Sequence, residues 1–457
     1  MAYQTIEWDQ ELIEKYNYSG PRYTSYPTAL EFSEQYSRDE FLTASRRYPE
    51  RPLSLYVHIP FCHTLCYYCG CNKLITRHQD KADQYLDMLE VEIRNRAPLF
   101  ENRNVTQLHW GGGTPTFLTP AQIIRLMELL RSHFNFAEDG EFSIEIDPRK
   151  IELSLLDTLR DVGFNRISIG VQDFNKEVQR AVNREQDNSF IEALQRRARE
   201  LGFRSTNLDL IYGLPHQTPQ SFLETLQQVI RSQPGRLSVF NYAHLPERFA
   251  AQRKIDEQAM PTAPQKLKML EQSIGFLTES GYQFIGMDHF SLPDDELAQA
   301  QRAGVLHRNF QGYTTHGDCD LLGLGVSSIS MIGDSYAQNQ KELKQYYSQL
   351  NSAGDALHKG YSLDEDDCIR RDLIKALICT FELDCQALEQ SYRIEFARYF
   401  SDDLKLLQPF IDDGLVRFDH CFLRVSPKGR LLIRNICMCF DTHLRRKARF
   451  QQFSRVI

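Results

Sequence analysis

The sequence lacks the features that mark a membrane, secreted or nucleic-acid-binding protein. Its 457 residues contain no apolar run near the roughly 20 residues that a membrane-spanning helix needs. The first residues, M-A-Y-Q-T-I-E-W-D-Q, lack the basic and then apolar segments of a secretory signal. A formal net charge of −8 argues against general binding of nucleic acid. The composition, 42% hydrophobic and 25% charged, is that of a globular protein, and the length predicts two or three domains.

What the sequence does have is a concentration of cysteine. Four of its eleven cysteines lie in the stretch H-I-P-F-C-H-T-L-C-Y-Y-C-G-C-N-K (58–73), which we call the cysteine loop. The other seven are spread over the chain, and a free cysteine is most often a small core residue. Eleven cysteines without a secretory signal indicate a reducing, cytoplasmic location.

The spacing within the cysteine loop limits its chemistry. Cys62, Cys66 and Cys69 follow the pattern C-x3-C-x2-C, with Tyr68 before the third cysteine and Cys71 two positions after it. A disulfide uses only two sulfurs, and zinc usually takes four ligands in two separated pairs. An iron–sulfur cluster takes thiolates at short spacings on one loop. If the first three cysteines each bind one iron of a 4Fe–4S cluster, the fourth iron stays open for catalysis; zinc remains the alternative.

This pattern, C-x3-C-x-aromatic-C, resembles the signature of the radical S-adenosylmethionine enzymes. The resemblance implies a 4Fe–4S cluster held by Cys62, Cys66 and Cys69, whose open iron binds the amino and carboxylate groups of S-adenosylmethionine. An electron passed through the cluster then cleaves the sulfonium and releases a 5′-deoxyadenosyl radical, which abstracts a hydrogen atom from an unactivated C–H bond. In such an enzyme the cofactor carries the chemistry and the protein positions it, so no catalytic side chain is expected.

Strand and helix patterns alternate along most of the chain. Such alternation predicts parallel strands with helices outside, and function in such barrels lies at the carboxyl ends of the strands. The resemblance implies a partial, open (β/α)6-type barrel of the α/β class. The predicted strands are 53–59, 105–110, 142–147, 166–172, 207–213 and 237–243, with 282–288 as a candidate seventh. The predicted helices are 120–133, 152–162, 188–201, 219–232 and 264–280.

The alternation stops at about residue 360. The stretch 364–379 predicts a helix, because acidic residues in its first turn interact favourably with the positive end of the helix dipole. The stretches 413–419 and 421–430 predict short strands. Helices with a small hairpin fit a winged-helix type of domain. Such a domain alone would suggest DNA binding, but next to a radical S-adenosylmethionine barrel we favour a lid or packing module. We predict three domains: an N-terminal arm over the active site (1–36), the catalytic barrel (37–360) and a mostly helical C-terminal domain (361–457).

Residues that could bind a ligand or take part in chemistry follow the predicted strands. The run Gly111–Thr114 lets the backbone approach a ligand closely, although a tight turn would also use glycine. Glu145 lies in the strand I-E-I-D, where a ribose diol or an arginine could be its partner. Gln172, Arg184 and Asp209 lie at or just after strand ends, where structural hydrogen bonding is the ordinary role.

The resemblance assigns these positions to cofactor binding. The segment G-G-G-T-P occupies the place of the family's G-G-E motif, with Gly113 where that motif has Glu. Contacts to a first S-adenosylmethionine are implied for Tyr56, Gly112, Ile329 and, through the ribose, Glu145. Contacts to a second molecule are implied for Tyr68, Gly113, Thr114, Gln172, Arg184, Asp209 and Ala243.

Two further stretches narrow the resemblance. They are the aromatic arm Y-N-Y-S-G-P-R-Y-T-S-Y-P-T-A (16–29) and the C-terminal motif R-N-I-C-M-C-F-D (434–441). Together with Cys71 they are similar to the family of oxygen-independent coproporphyrinogen III oxidases, essentially from end to end. The resemblance implies conversion of two propionates of coproporphyrinogen III to vinyl groups, giving protoporphyrinogen IX. It also implies an electron donor for the cluster and an electron acceptor that the sequence does not identify. The net charge and the lack of a long apolar run predict no nucleic-acid or membrane partner, and the lack of an exposed apolar stripe makes a monomer the default expectation.

Two rival interpretations share the barrel. A haem chaperone would bind haem without turnover, and these chaperones carry Phe where this chain has Cys71. A radical methyltransferase would use the second S-adenosylmethionine as a methyl donor. For the anionic rim of a tetrapyrrole, Arg22 and the basic stretch 445–455 are candidate partners, although a solvated basic helix is the simpler explanation of that stretch.

Overall fold

The computed structural model describes residues 6–419 and 421–447, which form two compact units. The barrel unit consists of Phe32–Met269 and Asp318–Ser362. The second unit combines the chain up to Glu31 with Leu270–Gly317 and the chain from Leu363 onward. Each unit is therefore built from separated segments, while the division into arm, barrel and C-terminal domain stays a prediction.

The strands of the described residues vary from two to twelve residues in length. In chain order they are β1 (Leu53–Ile59), β2 (Phe61–Cys62), β3 (Leu74–Ile75), β4 (Asn104–Gly112), β5 (Asn135–Ile146), β6 (Arg166–Gln172), β7 (Ser205–Tyr212), β8 (Arg236–Asn241), β9 (Gln283–Gly286), β10 (His289–Ser291), β11 (His307–Asn309), β12 (Gly312–Thr314), β13 (Asp320–Leu324), β14 (Ile329–Ile332), β15 (Ser335–Asn339), β16 (Leu357–Ser362), β17 (Glu382–Asp384), β18 (Val416–Phe418) and β19 (Phe422–Val425).

The helices are α1 (Gln10–Tyr16), α2 (Arg38–Ser45), α3 (Asp80–Arg96), α4 (Pro120–His133), α5 (Leu155–Asp161), α6 (Lys176–Ala181), α7 (Asn188–Glu200), α8 (Pro219–Arg231), α9 (Ala263–Glu279), α10 (Glu296–Arg302), α11 (Leu343–Ala353), α12 (Glu365–Thr380), α13 (Cys385–Tyr392), α14 (Phe396–Tyr399), α15 (Ser401–Asp412), α16 (Ile433–Met438) and α17 (Thr442–Lys447). Short 3-10 turns lie at Ala29–Glu31, Ala97–Phe100, Pro115–Phe117, Pro148–Lys150, Ala250–Lys254, Glu257–Ala259 and Gly429–Leu432. None of the helices in the described residues combines the length and apolarity that crossing a bilayer requires.

One sheet organises the barrel unit. Its strands follow the order β16-β15-β14-β13-β1-β4-β5-β6-β7-β8. All pairs from β13–β1 to β7–β8 are parallel, whereas β13 to β16 are joined by antiparallel pairs. Each parallel step from β1 to β8 is bridged by one or more helices, as a crossover requires. Six such strands make the open (β/α)6-type barrel that the sequence predicts.

The predicted strands of the barrel are confirmed with small shifts at their ends. The first, β1, has both predicted ends, whereas β5 begins at Asn135 rather than at 142. The candidate seventh strand exists as β9, but it pairs antiparallel with β10 in the second unit. The series of strand–helix units ends there, because the chain turns back into the β9–β10 hairpin after β9 instead of entering another helix and parallel strand.

An antiparallel extension completes the barrel unit and is tied to α3. Glu92 on α3 is fully buried and accepts hydrogen bonds from the Gly325 N–H at 2.8 Å, the Asn339 amide at 2.7 Å and the Tyr346 hydroxyl at 2.6 Å. Arg96, one turn later, forms an ion pair with Glu92 at 3.1 Å. A buried carboxylate needs such partners, so this cluster fixes α3 against the loop after β13, the strand β15 and the helix α11.

The second unit contains the predicted C-terminal helix and strands. The helix α12 begins after Asp364, whose side chain accepts the Asp367 N–H while the Asp367 side chain accepts the Asp364 N–H. This reciprocal capping explains why the helix begins where its acids cluster. The strands β18 and β19 pair as a hairpin, with β17 on the other side of β19. A mostly helical region with a small hairpin is therefore present as predicted.

The aromatic arm and the C-terminal motif pack together in the second unit. The Tyr23 hydroxyl donates to Asp441 at 2.9 Å, and the Arg434 side chain donates to the carbonyl of Pro21 at 2.9 Å. Arg434 and Asp441 are both nearly fully buried. The two stretches that narrow the family resemblance are thus one structural feature, although about 400 residues separate them along the chain.

Candidate active site

Polar side chains lie in register on one face of the parallel sheet. Tyr56 on β1 is opposite His109 on β4, which is opposite Ser143 on β5. Asp209 on β7 is opposite Ser238 on β8. Side chains alternate between the faces of a strand, and on β7 the alternate positions are buried. Barrel interiors are usually filled by bulky branched side chains, so a polar inner face indicates a surface for a ligand.

The cysteine loop follows β1 and is held at several points. Cys62 on β2 is paired with β3, which follows the loop. The Tyr67 N–H donates to the carbonyl of Val182 at 3.0 Å, and the Asn183 amide donates to the carbonyl of Leu65 at 2.7 Å. These bonds attach the loop to the segment that follows β6 and α6 along the chain.

Two of the three predicted cluster ligands accept hydrogen bonds from nearby loop residues. The Thr114 hydroxyl donates to the sulfur of Cys62 at 3.3 Å, and the Cys71 N–H donates to that of Cys69 at 3.4 Å. Burial raises the pKa of Cys62 to about 12. A hydrogen bond from the Cys71 thiol lowers the pKa of Cys69 to about 6 against the effect of burial, with help from Lys73. Cys69 is thus the sulfur that favours the thiolate form without a metal.

The third predicted ligand, Cys66, lies beside two arginines. Its sulfur accepts from Arg149 at 3.3 Å and from Arg184 at 3.4 Å. Both arginines also pair with Asp147, at 2.6 Å and 3.3 Å. Although burial acts to raise it, the two cations hold the pKa of Asp147 well below its ordinary value. This buried, hydrogen-bonded group places two positive charges against the sulfur of Cys66.

The donor set fits an iron–sulfur cluster. Three thiols lie on one loop that can wrap a cluster, and each sulfur accepts a hydrogen bond, which is one of the factors that set cluster potentials. Within the described residues, no three His, Cys, Asp or Glu side chains are grouped closely enough to hold a single metal ion. A cluster does not need such a group, because its ligands bind different irons.

The glycine run after β4 allows the backbone to approach its neighbours closely. Gly112 has φ +114°, and a Cβ there would lie 2.5 Å from the ring of His58. A Cβ on Gly113 would lie 2.8 Å from the carbonyl group of Pro60. Only glycine fits both positions without movement. The absence of the family's Glu at position 113 therefore has a structural reason, since a Cβ there would meet the backbone of the cysteine loop at Pro60 and Phe61.

Glu145 lies at the end of β5 and reaches the glycine run. Its carboxylate accepts the Gly112 N–H at 3.2 Å and lies 3.4 Å from the ring nitrogen Nε2 of His109. The side chain remains 44% exposed, and in the described part of the chain it forms no ion pair with an arginine. The arginine alternative is thus not observed, and one side of the carboxylate is open to a ligand.

Gln172 and Arg184 meet at the end of β6. Gln172 has φ +67° and lies where the register between β6 and β7 shifts. Such irregularities redirect side chains and are common beside active sites. A Cβ on Gly170 would lie 2.8 Å from the Arg184 guanidinium and 3.0 Å from the Gln172 amide. The glycine therefore makes room for both predicted contacts of the second S-adenosylmethionine.

Asp209 lies on the inner face of β7 among neutral polar groups. Its carboxylate accepts from the Ser168 hydroxyl at 2.9 Å and the Asn207 amide at 2.8 Å. Burial, with a further contribution from the charge of Glu145, raises its pKa to about 6. Two carboxylates therefore act on each other across the inner face of the barrel.

Tyr68 and Ala243 are brought together by a residue that the sequence did not indicate. The Gln252 amide, 2% exposed, donates to the carbonyl of Tyr68 at 3.0 Å and to that of Ala243 at 3.2 Å. Tyr68 also packs against the apolar cluster that includes Tyr242. Gln252 thus links the cysteine loop to the carboxyl end of β8.

Tyr56 and Ile329, predicted contacts of the first S-adenosylmethionine, lie near each other through β13. Tyr56 is opposite Gly323, and a Cβ on Gly323 would lie 2.7 Å from the backbone of Ile329. The Tyr56 hydroxyl hydrogen-bonds with the ring of His58 at 3.0 Å, and its ring stacks on His109 with centroids 6.0 Å apart. The close approach of β14 to β13 therefore places Ile329 one strand away from Tyr56.

Sequence reasoning missed several polar residues of this site. His58 and His109 share the inner face with Tyr56, and the alternation along β1 and β4 could have indicated them. Asp147 and Arg149 follow β5 directly, a strand-end position of the kind that the analysis used elsewhere. Gln252 had no signal, because its role depends on a loop that folds back onto the barrel.

The two candidate partners for substrate carboxylates lie outside the barrel unit. Arg22 forms an ion pair with Asp288 within the second unit. The basic stretch 445–455 is described only as far as residue 447, so most of it lies outside the described residues. Arg445 pairs with Asp403 at 2.8 Å. Both described arginines therefore have carboxylate partners of their own.

Comparison with known proteins agrees with the site. A model of the Radical SAM superfamily matches residues 56–229, and a model of the HemN C-terminal domain matches residues 363–432. The oxygen-independent coproporphyrinogen III oxidase of Escherichia coli (strain K12) is 69% identical over 457 residues, covering 100% of both chains. The protein of the same name from Pseudomonas aeruginosa is 52% identical, covering 99% of both chains.

A solved structure is similar over nearly the whole length. It is described as "Coproporphyrinogen III oxidase (HemN) from Escherichia coli is a Radical SAM enzyme", and it matches with a TM-score of 0.93 at 66% identity, covering 96% of this chain and 100% of that one. The open barrel and the three-cysteine loop thus define a radical S-adenosylmethionine protein, with a 4Fe–4S cluster and S-adenosylmethionine as cofactors. Within that class, the chain belongs to the family of oxygen-independent coproporphyrinogen III oxidases.

Proposed function

We propose that the protein catalyses the oxygen-independent oxidative decarboxylation of two propionate side chains of coproporphyrinogen III, giving protoporphyrinogen IX. The observation that carries this proposal is the full-length match, at 69% identity, to an enzyme of that name. The hydrogen-bonded cysteine loop and the polar inner face of the barrel support it, because they suit the cofactors of this reaction.

Cys62, Cys66 and Cys69 would hold the cluster, and the residues around them tune it. When bound, the cluster and S-adenosylmethionine supply the 5′-deoxyadenosyl radical that removes a hydrogen atom. Arg149 and Arg184 offset the negative charge at Cys66, while the exposed Cys71 donates its N–H to Cys69 and need not bind iron.

The inner face would bind two molecules of S-adenosylmethionine. For the first, Glu145 offers a half-exposed carboxylate to a ribose diol and Gly112 offers its backbone, with Tyr56 and Ile329 beside them. For the second, the polar groups at the ends of β6 and β7 form the set of contacts. That set comprises Tyr68, Gly113, Thr114, Gln172, Arg184, Asp209 and Ala243.

On the substrate, each propionate would lose one hydrogen atom, one electron and carbon dioxide. The hydrogen comes from the carbon next to the pyrrole, which delocalises the unpaired electron. Departure of that electron to an acceptor and loss of carbon dioxide leave the vinyl group. Because none of these steps transfers a proton to the protein, the reaction needs no side chain as a general base.

The test is an anaerobic assay of the reconstituted protein. We would add reductant, S-adenosylmethionine and coproporphyrinogen III, and follow 5′-deoxyadenosine and the tetrapyrroles by mass spectrometry. Deoxyadenosine together with protoporphyrinogen IX is the expected result, and a Cys62→Ser variant should form neither. Deoxyadenosine without decarboxylated product would contradict the substrate. Haem binding without turnover would favour a chaperone, and S-adenosylhomocysteine would reveal a methyltransferase.

The protein would work as a monomer in the cytoplasm. All eleven cysteines are free, which favours a reducing compartment. Light scattering of the reconstituted protein checks the monomer, whose mass would be 53.3 kDa without cofactors.

A further inference from the structure

A groove of about 500 Å³ lies on the outside of the cysteine loop, and we call it the loop groove. Thr64 and Leu65 form part of one wall, and Ile75 and Thr76 after the loop form part of another. His63 also lines the groove, and with Thr64 and Leu65 it makes up the three residues between Cys62 and Cys66. The wall of the loop groove is therefore the backbone that joins two cluster ligands, and whatever enters it is separated from the cluster by that loop alone.

The rim of the loop groove is positively charged. Arg77, His78 and Lys81 line it, and all three are exposed. Exposed Lys150 lines a smaller adjoining cleft that shares Thr64 with the loop groove. Within the described residues, Arg77, Lys81 and Lys150 form no ion pair, and Asp80 beside them does not line the groove. A chain of net charge −8 thus gathers free cations beside its cluster loop.

Ile75 adds an apolar centre to this charged rim. Its side chain is 40% exposed, although it is paired in register with Cys62 through β2 and β3. An apolar contact surrounded by charges of one sign suits a transient protein partner of the opposite charge, because long-range attraction speeds association and weak electron-transfer complexes bury little surface.

We propose that the loop groove docks an acidic one-electron carrier protein that reduces the cluster. The proposal rests on the proposed function, which needs an electron from outside the chain. The carrier loses one electron and the cluster site gains it, and no bond forms or breaks in this transfer. Docking on the outer side of the cysteine loop leaves the inner face of the barrel free for S-adenosylmethionine and substrate.

The test compares two triple charge reversals in the reconstituted holoenzyme. The first is Arg77→Glu, Lys81→Glu and Lys150→Glu at the loop groove. The matched control is Arg196→Glu, Arg231→Glu and Lys344→Glu, which changes the net charge equally at exposed cations on α7, α8 and α11. An acidic FMN-containing flavodoxin serves as the carrier. Its binding is measured by interferometry at low and high salt, and deoxyadenosine formation is driven either by reduced flavodoxin or by dithionite.

We expect the loop-groove variant to bind flavodoxin at least about 10-fold more weakly at low salt, with a similar loss of flavodoxin-driven rate. Iron content and dithionite-driven activity should match those of the unmodified protein and the control. If the reversals reduce iron content, Arg77→Gln with Lys81→Gln replaces them, with a smaller loss expected.

Three outcomes would overturn the docking site. They are equal flavodoxin binding by the variant and the control, no salt-sensitive binding by the unmodified protein, and a raised KM for the tetrapyrrole under dithionite, which would make the loop groove a substrate site. A failure of the proposed function would look different, because the unmodified protein would then not decarboxylate coproporphyrinogen III even with dithionite.

Discussion

The sulfurs of the three predicted cluster ligands receive hydrogen bonds from different donors, so the effects of these donors on the cluster can be separated residue by residue. Thr114→Val removes the hydroxyl that donates to Cys62 and keeps the shape of the side chain. We expect the midpoint potential of the cluster to fall by about 40 mV, equivalent to about 1 kcal/mol for one electron. The reason is that a hydrogen bond to sulfur stabilises the reduced, more negatively charged cluster more than the oxidised one. A reductive titration followed by electron paramagnetic resonance measures this.

Thr116 supplies the control for that substitution. It is also buried, but its hydroxyl has no hydrogen-bond partner in the described residues. Thr116→Val should therefore leave the potential unchanged. Equal shifts in both variants would show that the hydroxyl of Thr114 has no specific role.

The roles of the four loop cysteines can be distinguished by their iron content. Replacing Cys62, Cys66 or Cys69 by Ser should abolish cluster binding and activity together, since each would hold one iron. Cys71→Ser should retain iron, because Cys71 is exposed and serine keeps both the backbone N–H and a side-chain donor for the sulfur of Cys69. Iron and sulfide analysis of the four variants decides this, and a loss of iron in Cys71→Ser would make Cys71 a ligand.

Asp209 should make stability depend on pH. Its pKa is about 6 in the folded protein against 3.8 without the fold, so the folded state binds its proton more tightly. The free energy of unfolding should fall as the pH rises from about 4 to about 7, by up to about 3 kcal/mol from this group. The Asp209→Asn variant should lack this dependence of the free energy of unfolding on pH, whereas a variant at the exposed Asp139, Asp139→Asn, should retain it. Urea denaturation of the apoprotein at several pH values is the measurement.

Which residues belong to the site could be predicted from the sequence more readily than the contacts that those residues make. The cysteine spacing and the strand-end positions of Glu145 and Asp209 are visible in the sequence. The bonds from Thr114 and Arg149 to sulfur are not, because they join residues 52 and 83 positions apart. Such contacts depend on the order of strands in the sheet, which local patterns do not contain.

At the scale of elements, the cluster around Glu92 joins α3 to the antiparallel extension. Glu92→Ala would leave Arg96 buried without one of its two carboxylate partners and would remove the acceptor of three other hydrogen bonds. We expect a loss of about 3 to 5 kcal/mol in the free energy of unfolding. The exposed Glu101→Ala should change it by less than about 0.5 kcal/mol. Equal stability of the two variants, measured by chemical denaturation, would contradict the tie.

Elements with regular periodicity were predicted, whereas two fully buried strands were not. The helix α4 has both predicted ends because Thr119 caps it and Pro120 begins it. The strands β13 and β15 escaped prediction because every residue of each is buried, so neither shows the alternation of a half-buried strand. The stretch S-Y-A-Q-N of β15 is mostly polar, so the sequence alone does not indicate a buried strand. Its backbone pairs with β14 and β16 only in the folded sheet.

For the molecule as a whole, the second unit depends on the beginning of the chain. Deleting residues 1–31 would remove the stacking of Tyr16 on Phe410, at 4.4 Å between ring centroids, and the carbonyl that accepts from the buried Asn435. Unpaired buried groups are costly, so the second unit should open more readily. Hydrogen exchange in peptides from 363–447 should rise by about 10-fold or more, while peptides from β1 serve as the internal control. Unchanged exchange in 363–447 would contradict this dependence.

The position of β1 in its sheet has a consequence for protein synthesis. Its neighbours are β4, made soon afterwards, and β13, which begins at Asp320. A ribosome adding about 5 to 20 residues per second needs roughly 10 to 50 seconds to travel from β1 to β13. During that interval one edge of L-S-L-Y-V-H-I has no partner, and open apolar edges invite aggregation. Conditions that slow translation between residues 60 and 320 should therefore increase the demand of the nascent chain for chaperones.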